Sequence, residues 1–270
     1  MKKIIVLVVL LSSLNVGLSK GSDKNLIKLL KVSGMIGQFE QIGSVLESQM
    51  ASKRNQFDSE EEFNQFTNLM VKTFDETFLK ERYLEKITSD FDKDTAKIML
   101  KLYQSELMKE AVEMELAANN PNNEAAQMAY FRSLQTNPPM PERVEMLNNL
   151  HKEIRTSDQI ETMFQTLIGS MVRSVNAMSP VDNRLSEEEI NTAMSSYMTP
   201  AFFQQMSSTL VMMSLYTYRT MSTDKLVKYV RVWQTPEGQY FVNKSFEAFS
   251  YAFEGVGERL ITNLKEMKKI

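Results

Sequence analysis

The chain has 270 residues, a formal net charge of −3, no cysteine and a single histidine. Disulfides and cysteine–histidine chemistry are excluded, and a metal site would have one histidine to draw on. A mildly acidic chain without a basic run has no electrostatic footprint for nucleic acid.

Nine glycines and seven prolines argue for long helices with short connections. The expected fold class is all-α, a helical bundle of about ten helices built from two related halves.

Residues 1–19 read as a secretory signal. Lys2 and Lys3 supply the positive start, Ile4 to Leu11 the apolar run, and Gly17-Leu18-Ser19 a small-residue cleavage site. The apolar run is shorter than the ~20 residues of a spanning helix and contains polar residues. The expected location is therefore periplasmic or secreted, with no membrane span left after cleavage. Loss of the two lysines takes the formal charge from −3 to −5.

Asp23 caps a first helix, Lys24 to Val32, which Gly34 ends. Met35 to Lys53 continues as helix, with apolar residues three or four apart at Ile36, Phe39, Ile42, Leu46 and Met50. Ser59 with Glu62 three residues on is a capping-box signal. It opens a long amphipathic helix through Phe63, Phe66, Met70, Phe74 and Phe78 towards Ile87. Asp92 or Asp94 starts the next, which passes Tyr103 and runs on towards Leu116, and Asn120-Pro121 starts another ending near Gln135.

Asn137-Pro138-Pro139-Met140-Pro141 cannot be helix interior. It divides a first helical repeat, 20–137, from a second, 141–270. Glu40-Gln41-Ile42 matches Asp158-Gln159-Ile160 at a separation of 118. Ser59-Glu60-Glu61-Glu62 matches Ser186-Glu187-Glu188-Glu189 at 127, and Tyr103-Gln104-Ser105 matches Trp233-Gln234-Thr235 at 130. A period this long marks a doubled domain, since solenoid repeats run ~20–50 residues.

The stretch around Trp233, Thr235, Pro236, Gly238 and Phe241 reads as a helix–helix joint. Thr235 suits an N-cap and Pro236 the first helical position. Trp233 is expected to pack against Tyr240, Phe241 or Phe246. The last helix runs on through Phe249 and Phe253, with Gly255 and Gly257 as kink points.

Ser222–Phe241 resembles a bacterial family of exported helical proteins, a domain of unknown function. Its hallmark is a helix ending in an aromatic, then Ser/Thr-Pro-x-Gly and a further apolar residue. Here that reads Trp233-Gln234-Thr235-Pro236-Glu237-Gly238, then Tyr240-Phe241. At Tyr103-Gln104-Ser105-Glu106-Leu107-Met108 both the proline and the glycine are absent. The resemblance implies an all-helical periplasmic protein and brings no catalytic residues with it.

The chemistry-bearing residues are sparse. His151 lacks a His or Glu at helical ligand spacing on both sides and reads as an exposed or capped helical residue. The Glu60–Glu62 and Glu187–Glu189 runs follow serines and read as helix starts, where the dipole favours anions. No phosphate loop is present. Catalytic, cofactor and metal sites are therefore all expected to be absent.

Twenty methionines are the least ordinary feature. Met194, Met198, Met206, Met212 and Met213 make a candidate apolar groove, since methionine fills irregular gaps and builds pliable surfaces. The function expected is non-enzymatic: an adaptor or chaperone-like helper with a protein partner. The alternative is a carrier or sensor of an apolar small molecule or lipid in a Met-rich cavity.

Overall fold

The fold was analysed in a computed structural model that describes residues 23–120 and 123–267. The expected leader, residues 1–19, lies outside them, as does Pro121. The described residues form fourteen α-helices and short 3-10 turns, so the fold is all-α as expected. In chain order these are α1 (Lys24–Val32), α2 (Ile42–Ala51), α3 (Glu60–Thr73), α4 (Glu76–Asp90) and α5 (Lys93–Tyr103). Then come α6 (Glu106–Asn119), α7 (Glu124–Ser133), α8 (Pro141–Glu153), α9 (Thr156–Met178) and α10 (Glu187–Tyr197). The last four are α11 (Pro200–Thr217), α12 (Thr223–Trp233), α13 (Pro236–Glu254) and α14 (Val256–Met267). No described helix is long and apolar enough to cross a membrane.

Four expected long helices are broken or shortened. The one expected over Met35–Lys53 is α-helical only from Ile42 to Ala51, after a 3-10 turn at Phe39–Gln41. The one from Asp92 does not pass Tyr103: Gln104 closes it, and Ser105 caps a new helix by accepting the Met108 N–H. The helix from Ser59 stops at Phe74, and Asp75 restarts it by accepting the Phe78 N–H at 2.8 Å. The helix from Pro236 stops at Glu254, and Gly255 separates it from α14. A Cβ there would lie 2.8 Å from the Phe78 ring, so the break sits where only glycine fits. At the end of α1, Gly34 takes φ 77°, the left-handed turn that glycine permits.

The chain folds as two compact units, and these do not follow the proline-marked halves. The first is formed from the described parts of Met1–Gln38, Thr88–Gln159 and Pro200–Phe246. The second is formed from Phe39–Ile87, Ile160–Thr199 and the described part of Glu247–Ile270. Each takes segments from both sides of Pro138–Pro141.

In the first unit α1 packs on α5, and α8 packs on α11 and α12. Helix α6 also packs on α11 and α12, and α7 on α11. In the second unit α3 packs on α2 and α14. Its centre is a triad of rings, Phe39, Tyr83 and Phe249, with centroids 4.7–5.3 Å apart. Two arginines close helix ends there. Arg82 donates to the Tyr251 carbonyl in the last turn of α13, and Arg259 to the Lys72 carbonyl at the end of α3.

The first unit contains two helix–turn–helix corners in one register, 130 residues apart. Asp92 caps α5 by accepting the Thr95 N–H, and Ser222 caps α12 by accepting that of Lys225. Ala96, Met99, Leu100 and Tyr103 are the buried face of α5; Leu226, Tyr229, Val230 and Trp233 are that of α12. Gln104 and Gln234 close the two helices with φ of −82° and −83°. Ser105 then accepts the Met108 N–H while donating to Leu102. Thr235 accepts the Gly238 N–H at 3.0 Å while donating to Val232 at 2.7 Å.

Trp233 is buried, 6 % exposed, but its ring partners differ from those expected. They are Tyr103, its counterpart in the other corner, at 6.4 Å and 71°, and Tyr229 at 5.9 Å and 89°. Phe241 packs instead on Tyr103 and Phe91, and Tyr240 on Phe91. The reason is periodic: Tyr229 and Trp233 share a helix face four residues apart, and that face meets Tyr103.

At Gly238 an added Cβ would overlap the Val232 carbonyl oxygen, and backbone cannot yield as a side-chain end can. Thr235→Ala should cost about 1 kcal/mol, the usual value of an N-cap. Gly238→Leu should cost more, roughly 1–3 kcal/mol. Urea unfolding followed by Trp233 fluorescence checks both, starting from blue-shifted native emission. Native emission at the solvated wavelength would contradict the burial.

Candidate functional site

A concavity in the first unit lies where α8, the first turn of α9 and α11 meet, with a volume of about 660 Å³. Its apolar floor is Val144, Val211 and Leu215, with the exposed Met212 at its edge. Hydroxyls from Thr156, Ser157, Ser207 and Ser208 line one side. Asn148, Lys152, Arg155, Asp158 and Gln204 form the rim.

Local sequence sets the bend that opens this groove. Helix α8 ends as Ile154 donates to the Leu150 carbonyl at 3.0 Å. Arg155 follows at φ 53°, in the left-handed region. Glycine is the usual residue there, and a side chain costs about 1–2 kcal/mol. The arginine is anchored by what its guanidinium reaches: Asp158 at 3.0 Å and the Asn243 side-chain oxygen at 3.0 Å. Gln159 closes the turn by donating to the Ile154 carbonyl at 2.7 Å.

The groove is fixed to the Trp233–Thr235 corner. The Gln239 side-chain amide donates to the Trp233 carbonyl at 2.6 Å and to the Glu153 carbonyl at 2.8 Å. Gln234 reaches the Glu153 carboxylate at 3.2 Å. The joint read from sequence is thus a structural support for the groove, one helix removed from it.

His151 is neither exposed nor capping a helix end. It is half-buried at the groove wall, with Nδ1 3.0 Å from Thr156 Oγ1 and Nε2 2.9 Å from Ser214 Oγ. Each ring nitrogen thus faces a hydroxyl, which can donate or accept. Burial lowers the ring's pKa to about 4, so the imidazole is neutral at physiological pH. It ties α8, α9 and α11 together.

A second polar cluster lies in the same unit. Glu115 Oε1 accepts from Tyr218 at 2.6 Å and from Tyr229 at 2.8 Å. Burial pushes this carboxyl above the usual carboxylate range, against the two phenolic hydrogen bonds. Burial and the adjacent carboxylate push both tyrosines well above their ordinary value. Arg143 of α8 donates to the Met221 and Tyr218 carbonyls, holding the turn that presents Tyr218. The cluster ties α6 to α12 and to the α11–α12 turn.

The five methionines of the expected groove fall in both units. Met194 and Met198 belong to the second unit, where Met194 packs against Gly169. Met206, Met212 and Met213 lie on α11 in the first unit. Of the five, only Met212 lines the groove; Met206 is buried core. A helix presents residues to different sides at 100° steps, so crowding in sequence does not gather side chains in space.

Among the described residues no group of three or more His, Asp or Glu side chains could hold a metal ion. The two Ser-Glu-Glu-Glu runs are helix starts: Ser59 accepts the Glu62 N–H, and Ser186 forms a full capping box with Glu189. Compared with known proteins, the chain matches no family model, no curated protein and no solved structure.

Two predictions follow from these side chains. The folded-state pKa of His151 lies below its ordinary 6.5, so its stabilisation is complete above pH 6.5 and is lost as pH falls towards about 4. The loss reaches up to about 3 kcal/mol. His151→Gln removes this component, so urea unfolding above pH 6.5 and near pH 4 should show a smaller decline for the variant. Equal declines would contradict the burial of the ring. Glu115→Ala should cost about 2–4 kcal/mol by leaving two buried phenols without their acceptor. Glu115→Gln, which keeps that acceptor, should cost clearly less in the same assay.

Proposed function

We propose that this chain is an exported, non-enzymatic binding protein that holds a segment of another protein in the groove between α8 and α11. The observation that carries the reading is the groove's make-up: an apolar floor under a polar, solvent-open rim. That pattern suits a peptide segment with one apolar face. The inventory of reactive groups supports a non-enzymatic role. His151 is a neutral cross-link and Glu115 is enclosed by two tyrosines, so each serves the fold.

Export rests on residues 1–19 of the sequence, and the resemblance at Ser222–Phe241 supports it. The same reading takes the chain as a duplication. Its support is the register shared by the α5–α6 and α12–α13 corners, in caps, buried faces and turn hydrogen bonds alike.

The alternative ligand, an apolar small molecule or lipid, is separated by the same experiment. A photocrosslinking residue at Asn148 or Met212, at the groove, is compared with one at Met128, outside it, in the cells that make the protein. Protein adducts from the groove positions alone are expected. Lipid or small-molecule adducts, or equal labelling from Met128, would overturn the reading.

A further inference from the structure

The end of α9 and its connection to α10 in the second unit carry three exposed aliphatic side chains. Val175 is 52 % exposed, Val181 75 % and Leu185 47 %. Exposed apolar residues on one short connection mark an interaction surface when that connection is held in place. Here they are held. The Asn176 side chain donates to the Leu185 carbonyl and accepts the Leu185 N–H, both at 2.8 Å. This pairs Leu185 with the last turn of α9, beside Val175. Arg184 donates to the Ser179 carbonyl at 3.0 Å, closing the turn that carries Val181. Arg173 bonds Glu187 at 2.9 Å and Asn191 at 3.1 Å, and the Ser186–Glu189 capping box fixes the start of α10. Ordering of the turn is already paid for within the fold, so a partner would not have to supply it.

The charge around this knob selects the partner. Asp182, Glu187, Glu188 and Glu189 stand against Arg173 and Arg184, an acidic balance. An anionic lipid surface would be repelled, and an acceptor with an apolar floor and a basic rim would be complementary. The groove of the first unit is such an acceptor. Val144, Val211 and Leu215 make its floor, and Lys152 and Arg155 outnumber Asp158 on its rim.

We infer that the α9–α10 knob of one copy of this chain docks in the α8–α11 groove of a second copy. The inference rests on the groove being a protein-binding site and names its occupant. Val175, Val181 and Leu185 enter over the apolar floor, while Asp182 and Glu188 meet Lys152. Donor and acceptor are different surfaces, so every copy carries both.

The test uses the full mature chain and two variants that change exposed side chains. Val181→Asp with Leu185→Asp removes the knob and leaves the groove. Lys152→Glu with Met212→Glu removes the groove and leaves the knob. Circular dichroism establishes that each remains helical, and sedimentation velocity reads the mass. The wild type should self-associate with rising concentration, less so at high salt. Each variant alone should be monomeric. Mixed together they should pair one to one, since one retains the groove and the other the knob. A monomeric wild type, a knob variant that still associates, or a mixture that does not pair would each overturn the inference. A foreign-protein adduct at Asn148 alongside a monomeric wild type would overturn it while leaving the adaptor reading intact.

Discussion

The edge-to-face contact of Tyr103 with Trp233 is the constraint on which the first unit depends. Each ring is the last buried residue of an 11-residue helix, and each helix turns at once into a capped successor. Placing the two helix ends together fixes where α6 and α13 begin. The consequences spread through one side chain. Gln239, in the first turns of α13, bonds the carbonyls of Trp233 and Glu153 and so sets the end of α8. From there Arg155 bends the chain into α9, and the groove opens beside the bend. An error in the aromatic contact would therefore be felt at a surface that neither ring touches.

A chain without cysteine has to stabilise its helix ends and junctions by other means. This one uses polar side chains as cross-links of long sequence range. His151 reaches Ser214, Glu115 reaches Tyr218 and Tyr229, and Arg143 reaches the turn after α11. In the second unit Arg82 and Arg259 satisfy carbonyls that a helix end leaves open, while lying over the Tyr251 and Phe78 rings. A cation at a helix C-terminus is favoured by the dipole, and its planar guanidinium is well suited to an aromatic face. These groups are buried or half-buried and hydrogen-bonded, so they rigidify the fold.

The methionines follow the same logic. Met99, Met108, Met206 and Met221 are buried in the first unit, where a flexible thioether fills gaps that branched side chains would leave. Met128, Met140 and Met212 are exposed, and Met212 alone of these lines the groove. Packing thus accounts for part of the high count.

What the sequence determined by itself is local. Asp23, Ser59, Asp92, Ser186, Ser222 and Thr235 are readable as helix starts because a cap bond spans three residues at most; the cap at Ser105, inside a stretch that reads as one continuous helix, is not. The amphipathic faces of α1, α5 and α12 are readable because 3.6-residue periodicity acts within one helix. The shared register of the two corners was visible for the same reason, as a string of caps and aromatics at constant offset. The breaks at Asp75 and Gly255 were less so, because apolar periodicity runs through both while a single cap or close contact decides them. Only the tertiary structure decided that Trp233 meets Tyr103, that His151 lies against Ser214, and that Glu115 accepts from two tyrosines. Those partners are 130, 63, 103 and 114 residues apart. Nothing in a side chain's own neighbourhood specifies a partner at that distance. It is chosen by the path of the chain, once the buried faces of many helices have been satisfied together.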